Sequence, residues 1–293
     1  MARQVENVLV VGSGLMGAGI AQVAAMAGMR STLVDNNADA LEGARGRISD
    51  SLARLARSSR LKEEPEEVID RIDFTQDLKT AAVKADIVVE AIVEALAPKQ
   101  ALFEQLDAWC DADVVLATNT SQFRITRVGE RCQRYPARVI GMHWSNPPPL
   151  MMLVEVIRGD FTDDSTLDAT MDYLRRCERR SVLCRKDVPG FISNRMSTAL
   201  FMEAARLVDE GIASAEDVDA VAQLMYGHRM GPITTLDLAG LDTALLCANA
   251  LHKHYGGDRY DPPPLLKTLV KQGRFGRKTG EGFYNYNDQA GKK

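Results

Sequence analysis

Short apolar runs alternate with helical stretches through the first two thirds of the chain. Asn7 to Val11 (NVLVV) is a β-branched and leucine run that reads as a strand; glycines follow, then the small-residue stretch Ala18 to Ala27, so the order is strand, turn, helix. Ser31 to Val34 is a second strand, ending at Asp35. The same pattern predicts strands at Asp86 to Val89, Val114 to Ala117, Arg138 to Met142, Leu153 to Ile157 and Val182 to Cys184, with helical stretches between several of them. That alternation implies an α/β fold built on a mostly parallel, doubly wound sheet.

The charge-dense stretch RLKEEPEEVIDRID, Arg60 to Asp73, is expected to be a solvated helix broken at Pro65. Beyond Cys184 the pattern changes: RKDVPGF carries Pro189 and Gly190, and helical patterns follow without a convincing strand. Ser214 with Asp217 resembles a capping box, and Gly231-Pro232 marks a further break. The expected division is a first domain over residues 1–187 and a smaller all-α domain over 188–293.

At 293 residues and 45% hydrophobic content, each domain has enough apolar material for its own core. Thirty-six basic and 40 acidic residues give a formal charge of −4, which disfavours nucleic acid as the principal partner. No apolar run reaches membrane-spanning length, and MARQVENVLVVG lacks the basic and long apolar regions of a secretory signal. The five cysteines are odd in number and form no CxxC pair, which argues against a disulfide framework or a zinc site. Reduced thiols in a cytoplasmic protein fit this pattern, and no metal is expected.

GSGLMG places Gly12, Gly14 and Gly17 in the GxGxxG pattern between a strand and a helix. The first glycine permits a tight turn, the second lets a pyrophosphate approach the backbone, and the third allows close packing of helix on strand. The helix N-terminus then offers free N–H groups to phosphate. Asp35 closes the next strand at about the 20-residue distance expected of an acid that binds an adenosine ribose. It would repel a 2′-phosphate, and Asn36 and Asn37 supply no offsetting cation, so the expectation is a Rossmann-type domain favouring NAD over NADP. FAD uses the same kind of loop.

HWSNPPPLMMLVEV, from His143 to Val156, holds an imidazole at the end of a strand and a carboxylate inside an apolar run. A glutamate there is paired or faces a cleft, because burying an unpaired charge is costly. The next strand could return Glu155 to the side of His143, which would fix the imidazole tautomer and raise its basicity, making a general base. Such a base suits alcohol oxidation, in which hydride leaves carbon as the hydroxyl proton is taken up. A structural histidine beside a half-exposed glutamate accounts for these residues equally well; the glycine loop upstream favours catalysis. His252 and His254 stand at a spacing that points them to different helix faces, so a surface location is expected.

With those residues in view the chain resembles the 3-hydroxyacyl-CoA dehydrogenase family. The supporting stretches are VVGSGLMGAGIAQVAAMAG, VVEAIVE, TNTSQFRIT, GMHWSNPPPLMMLVEVI, KDVPGFISNR, GPITTLDLAGLD and FGRKTGEGFYNY, in order over nearly the whole length. The resemblance implies that His143 is the base on the 3-hydroxyl, Glu155 its orienting partner, Ser121 a hydrogen-bond donor to the substrate oxygen, and Asn194 a substrate-positioning group. It implies that Gly12, Gly14, Leu15, Met16, Gly17 and Asp35 hold NAD, with Glu94, Lys99, Asn119 and Asn146 around the nicotinamide and its ribose. It also implies an acyl-CoA substrate and a homodimer formed through the helical domain.

Family members typically read HFFNPVPVMKLVEV, whereas Trp144 and Ser145 replace two phenylalanines here and Met152 a lysine, so a changed pocket wall is expected. Ser51 matches a CoA contact, but Ser58 stands where a lysine usually helps hold CoA; Arg54, Arg57 and Arg60 lie nearby as alternative cations. The alternatives are a relative acting on a non-CoA hydroxy acid, a hydroxymethyl aromatic acid or an acyl-carrier-protein thioester, and a noncatalytic NAD-binding protein.

Overall fold

A computed structural model describes residues 5–287. The chain divides after Phe191 into two compact units. The first carries one eight-stranded sheet of order β3-β2-β1-β4-β5-β6-β7-β8. Its strands are β1 (Asn7–Val11), β2 (Arg30–Val34), β3 (Ile72–Thr75), β4 (Ile87–Glu90), β5 (Val115–Thr118), β6 (Val139–Trp144), β7 (Leu153–Arg158) and β8 (Arg180–Cys184). All neighbouring strands pair in parallel except β6 and β7, which are antiparallel. The helices between them are α1 (Leu15–Met26), α2 (Ala38–Arg57), α3 (Pro65–Ile69), α4 (Leu78–Lys84), α5 (Leu96–Trp109), α6 (Ile125–Val128) and α7 (Asp164–Arg176).

The central strands are apolar on both faces because helices cover both: Val8 to Val10 on β1 and Ile87 to Val89 on β4 are all at most 1% exposed. In α2 the buried residues Leu41, Ala44, Ile48, Leu52 and Leu55 follow helical spacing, and the Asn37 side chain accepts from the N–H groups of Asp39 and Ala40 to start it. From β1 the chain winds first to β2 and β3, then crosses to β4 on the other side. The crevice at the carboxyl ends of β1 and β4 is the place where such sheets bind ligands.

One expectation is corrected. Residues 60–73 are not a helix broken at Pro65. Pro65 is the first residue of α3, where its missing N–H costs nothing, and Ile72 opens β3. IDFT is too short and too closely flanked by charge to show as a strand in the pattern; its pairing with β2, Ser31 opposite Ile72, decides its conformation.

The second unit holds α8 (Ser193–Asp209), α9 (Ala215–Leu224), α10 (Pro232–Ala239), α11 (Leu241–Tyr255) and α12 (Pro264–Lys271), packed about Met202, Ala205, Ile233, Leu236, Leu241 and Leu266. The Ser214 hydroxyl accepts from Asp217 N to cap α9, and Pro232 starts α10, as the capping and break signals predict. Among the described residues no helix is long and apolar enough to cross a membrane, and no cluster of three or more His, Cys, Asp or Glu could hold a metal ion. All five cysteines are free.

Candidate active site

The glycine loop is built by close approaches. Gly12 has φ +101°, and a Cβ on it would lie 2.5 Å from the Ala91 carbonyl oxygen; one on Gly17 would lie 1.8 Å from that of Gly12. Around Gly14, by contrast, no atom lies within 4 Å of where a Cβ would sit. Loop and helix are thus pressed together at the first and third glycines and open at the second, as an approaching pyrophosphate requires.

Asp35 lies at the end of β2 beside this loop. Its Oδ2 accepts from Ser13 N at 2.8 Å and Ser13 Oγ at 2.9 Å, and Oδ1 accepts from Asn37 N at 3.1 Å. Burial pushes its carboxyl up, but the Ser13 and Asn37 N–H groups and the Ser13 hydroxyl outweigh it and hold the group below the usual carboxylate range. A cavity of about 650 Å³ opens here, lined by Gly12, Gly14, Asp35 and Asn36 together with Ile92, Val93, Pro98 and Leu102. A dinucleotide needs an acceptor for ribose hydroxyls, an uncovered backbone for phosphate and an apolar wall for the purine. All three are present, so the residues fit NAD. Leu15, at the start of α1, is 59% exposed and Met16 half-buried. The sequence pattern did not single out Arg47, whose guanidinium donates to the Ser13 carbonyl at 2.8 Å.

His143 and Glu155 are direct partners across the antiparallel β6–β7 pair, and His143 Nδ1 lies 2.8 Å from Glu155 Oε2. The imidazole is 17% exposed and the carboxylate 3%. With Nδ1 held by the carboxylate, Nε2 has no hydrogen-bond partner among the described residues. The Phe191 ring lies 5.7 Å away, tilted by 58°. Strand alternation sends Trp144 to the opposite face, where it is buried among Val154, Val156 and other core residues. Ser145 Oγ donates to the Leu153 carbonyl at 3.1 Å within the turn, and Met152 is exposed. Trp144 therefore serves the core rather than the wall beside His143. Asn146, at the exposed turn, precedes a cis peptide to Pro147.

A third group gathers where β4 and β5 end. Glu94 Oε1 accepts from the Thr120 hydroxyl, from Ser121 N at 3.0 Å and from Gln122 N at 3.1 Å, which fixes the turn carrying Ser121. Lys99 is 1% exposed; its ammonium lies 3.1 Å from Glu94 and 2.5 Å from Glu90, which is fully buried. Burial pushes the Glu90 carboxyl up, and the Lys99 ammonium opposes that shift. Asn119 joins this group to the histidine strand: its N–H donates to the Glu90 carbonyl at 2.8 Å, and its Oδ1 accepts from Trp144 N at 2.9 Å. Glu90 escaped the sequence reading, although a glutamate ending an apolar strand is the signal that flagged Glu155.

On α2, Ser51 and Arg54 share a cavity of about 240 Å³ with Arg47, Asp50, Gly19 and Pro148; Arg57 does not line it. Ser58 caps the helix end through its hydroxyl, which donates to the Leu55 carbonyl at 3.0 Å. Asn194 lies in the first turn of α8, in the second unit.

A family model described as 3-hydroxyacyl-CoA dehydrogenase, NAD binding domain, matches residues 7–188, and one described as 3-hydroxyacyl-CoA dehydrogenase, C-terminal domain, matches residues 190–286. A probable 3-hydroxybutyryl-CoA dehydrogenase of Deinococcus radiodurans is 44% identical over 94% of this chain and 99% of its own length. One of Bacillus subtilis is 42% identical over 98% of this chain and 99% of its own. Among solved structures, an (S)-3-hydroxybutyryl-CoA dehydrogenase from Ralstonia eutropha superposes with a TM-score of 0.92 at 34% identity, covering 97% of this chain and 100% of that one. The chain belongs to the 3-hydroxyacyl-CoA dehydrogenase family and carries that family's NAD-binding domain.

Proposed function

We propose that the chain is an NAD-dependent oxidoreductase interconverting (3S)-3-hydroxyacyl-CoA and 3-oxoacyl-CoA thioesters. The observation that carries the proposal is the His143–Glu155 pair, 2.8 Å apart, with Nε2 of the imidazole left for a substrate, in a chain of this family. NAD, when bound, supplies the hydride acceptor. In the oxidative direction His143 Nε2 takes the proton of the 3-hydroxyl; in the reductive direction it returns one to the 3-oxo oxygen. Glu155 accepts from Nδ1–H, holding the tautomer that keeps Nε2 basic, and stabilises the imidazolium that forms. Ser121 donates to the substrate oxygen, and Asn194 has a positioning role toward the substrate. Gly12, Gly14, Leu15, Met16, Gly17 and Asp35 hold the dinucleotide, with Glu94, Lys99, Asn119 and Asn146 toward its nicotinamide end.

The carrier is assigned as CoA. Ser51 and Arg54 share one cavity with Arg47, so two guanidiniums are available there for its phosphates, with Arg57 further along the helix. The working form is a cytoplasmic homodimer.

The test is NADH oxidation with acetoacetyl-CoA beside free acetoacetate at equal concentration. Turnover of the thioester alone supports the proposal; equal turnover of the free acid removes CoA from it. His143→Gln is expected to lower kcat by about 10³-fold while NADH affinity stays within about twofold, since removing a general base leaves binding contacts in place. Unchanged turnover in that variant removes His143 from the mechanism.

A further inference from the structure

Glu90 has no part in the chemistry just described, yet it is a fully buried carboxylate at the end of β4, after the apolar residues Ile87, Val88 and Val89. A buried ion pair is seldom worth more to stability than apolar side chains of the same volume, so its presence calls for a role besides filling space. Two of its side-chain partners, Lys99 and Thr118, lead on to one turn, Lys99 through Glu94 and Thr118 through its own bond to Thr120 N. Glu90 Oε1 accepts from the Lys99 ammonium at 2.5 Å and from Ile92 N at 2.7 Å, and Oε2 accepts from the Thr118 hydroxyl at 2.6 Å. Lys99 in turn reaches Glu94 Oε2 at 3.1 Å, and the other oxygen of Glu94 gathers the Thr120 hydroxyl and the N–H groups of Ser121 and Gln122.

Lys99 is therefore shared between two carboxylates, and Glu90, the fully buried one, holds it in place. Were Glu90 uncharged, the ammonium would settle wholly on Glu94, the carboxylate that organises the Thr120–Gln122 turn, and compete with that turn for its oxygens. We infer that Glu90 is a positioning residue: through Lys99 and Glu94 it fixes the turn that presents the Ser121 hydroxyl. The inference rests on the reading that Ser121 donates to the substrate oxygen.

The test is a double-mutant cycle between Glu90→Gln and Ser121→Ala, with kcat measured on acetoacetyl-CoA and active sites counted by NADH titration. Wild-type turnover and a lowered kcat in Ser121→Ala come first. Glu90→Gln is then expected to lower kcat about tenfold in the parent, the scale of a small misplacement of a reacting group. In the Ser121→Ala background its effect should be less than about twofold, because nothing remains to be positioned. Thr118→Val, which removes the hydroxyl donor on Glu90 Oε2 together with the acceptor that hydroxyl offers Thr120 N at 3.2 Å, should follow the same pattern with a loss of about threefold in the parent. If Glu90→Gln yields no NADH-binding protein, Glu90→Asp, which keeps the charge but shortens its reach to Lys99 and leaves Thr118 in place for Thr120 N, decides by the same criterion. Equal fold losses in both backgrounds, or none in either, overturn the inference alone, since a merely structural role lowers the yield of binding sites and leaves the cycle additive. Undiminished kcat in Ser121→Ala overturns the role of Ser121 together with the inference, and absence of wild-type turnover overturns the functional reading itself.

Discussion

Two buried carboxylates, one in each unit, are used in opposite ways. Asp237, on α10, is fully buried, and its oxygens accept from Phe283 N at 3.0 Å, Tyr284 N at 2.9 Å and the Tyr286 hydroxyl at 3.0 Å. Asp219 on α9 does the same for Ile233 N, Thr234 N and the Tyr284 hydroxyl. The tyrosines register the contact: burial and then the neighbouring carboxylate push the Tyr286 phenol up to about 12, and Tyr284 is raised for the same reasons. Glu155 instead faces an imidazole that has a second nitrogen to offer. A carboxylate whose partners are backbone N–H groups and phenols of its own chain stitches segments together; one that holds a titratable, part-exposed ring is placed to pass its charge on to chemistry, which is the role proposed for Glu155.

That contrast breaks if the two residues respond alike to loss of charge. Glu155→Gln is expected to lower kcat by on the order of 10²-fold with a small change in thermal midpoint, because the strand pair survives while the imidazole loses its orienting acceptor. Asp237→Asn is expected to cost about 2–4 kcal/mol of stability, since three donors lose a charged acceptor at a fully buried position. Urea unfolding and kcat per NADH-binding site, measured on both variants, separate the two. A large stability loss in Glu155→Gln with kcat preserved would make Glu155 a stitch like Asp237.

A second contrast lies within the glycine loop, between Gly17 and Gly14. A methyl group on Gly17 meets the Gly12 carbonyl at a distance no packing can accommodate, so Gly17→Ala should lose both stability and NADH binding. Gly14 has open space around it and ordinary φ of −59°, so Gly14→Ala should keep its thermal midpoint within about 1 °C. NADH affinity should nevertheless fall by about tenfold or more, because the methyl occupies the approach reserved for phosphate. An unaltered dissociation constant for NADH in Gly14→Ala would move the pyrophosphate away from this loop.

The elements legible in the sequence are those whose periodicity is their own. β1, the glycine turn and α1 announce themselves through NVLVV, GxGxxG and a run of small residues, and Ser214 marks the start of α9 by its own capping bond. β3 was not legible: four residues, IDFT, take strand geometry because β2 has an edge to fill. The site divides in the same way. His143 and Glu155 stand out as ionisable groups at the ends of apolar runs, and a proline-rich turn returns one strand to the other. Lys99 joins Glu90 to Glu94 only through the placing of α5 against the ends of β4 and β5, a tertiary fact that no local spacing encodes. Trp144 was misleading for a related reason: neighbours in a strand face opposite ways, so a change next to the histidine is felt in the core.

The finest comparison sets Asp35 against Glu155, a carboxylate proposed to receive a ligand against one proposed to orient a base. Asp35→Asn should leave kcat at saturating NADH within about twofold and weaken NADH by about tenfold, the cost of replacing a charged acceptor by a neutral one at a ribose hydroxyl. It should also carry an acid signature in the absence of cofactor. The Asp35 carboxyl is held below its ordinary value of 3.8, so its folded-state hydrogen bonds add stability above that value, and this is lost as pH falls through the lower folded value. The wild type should therefore lose stability more steeply than Asp35→Asn on acidification below about pH 4, the two curves converging at the acid end. Parallel curves would mean that Ser13 and Asn37 do not hold the free carboxylate in solution as they do here, and that Asp35 is organised only when the dinucleotide binds.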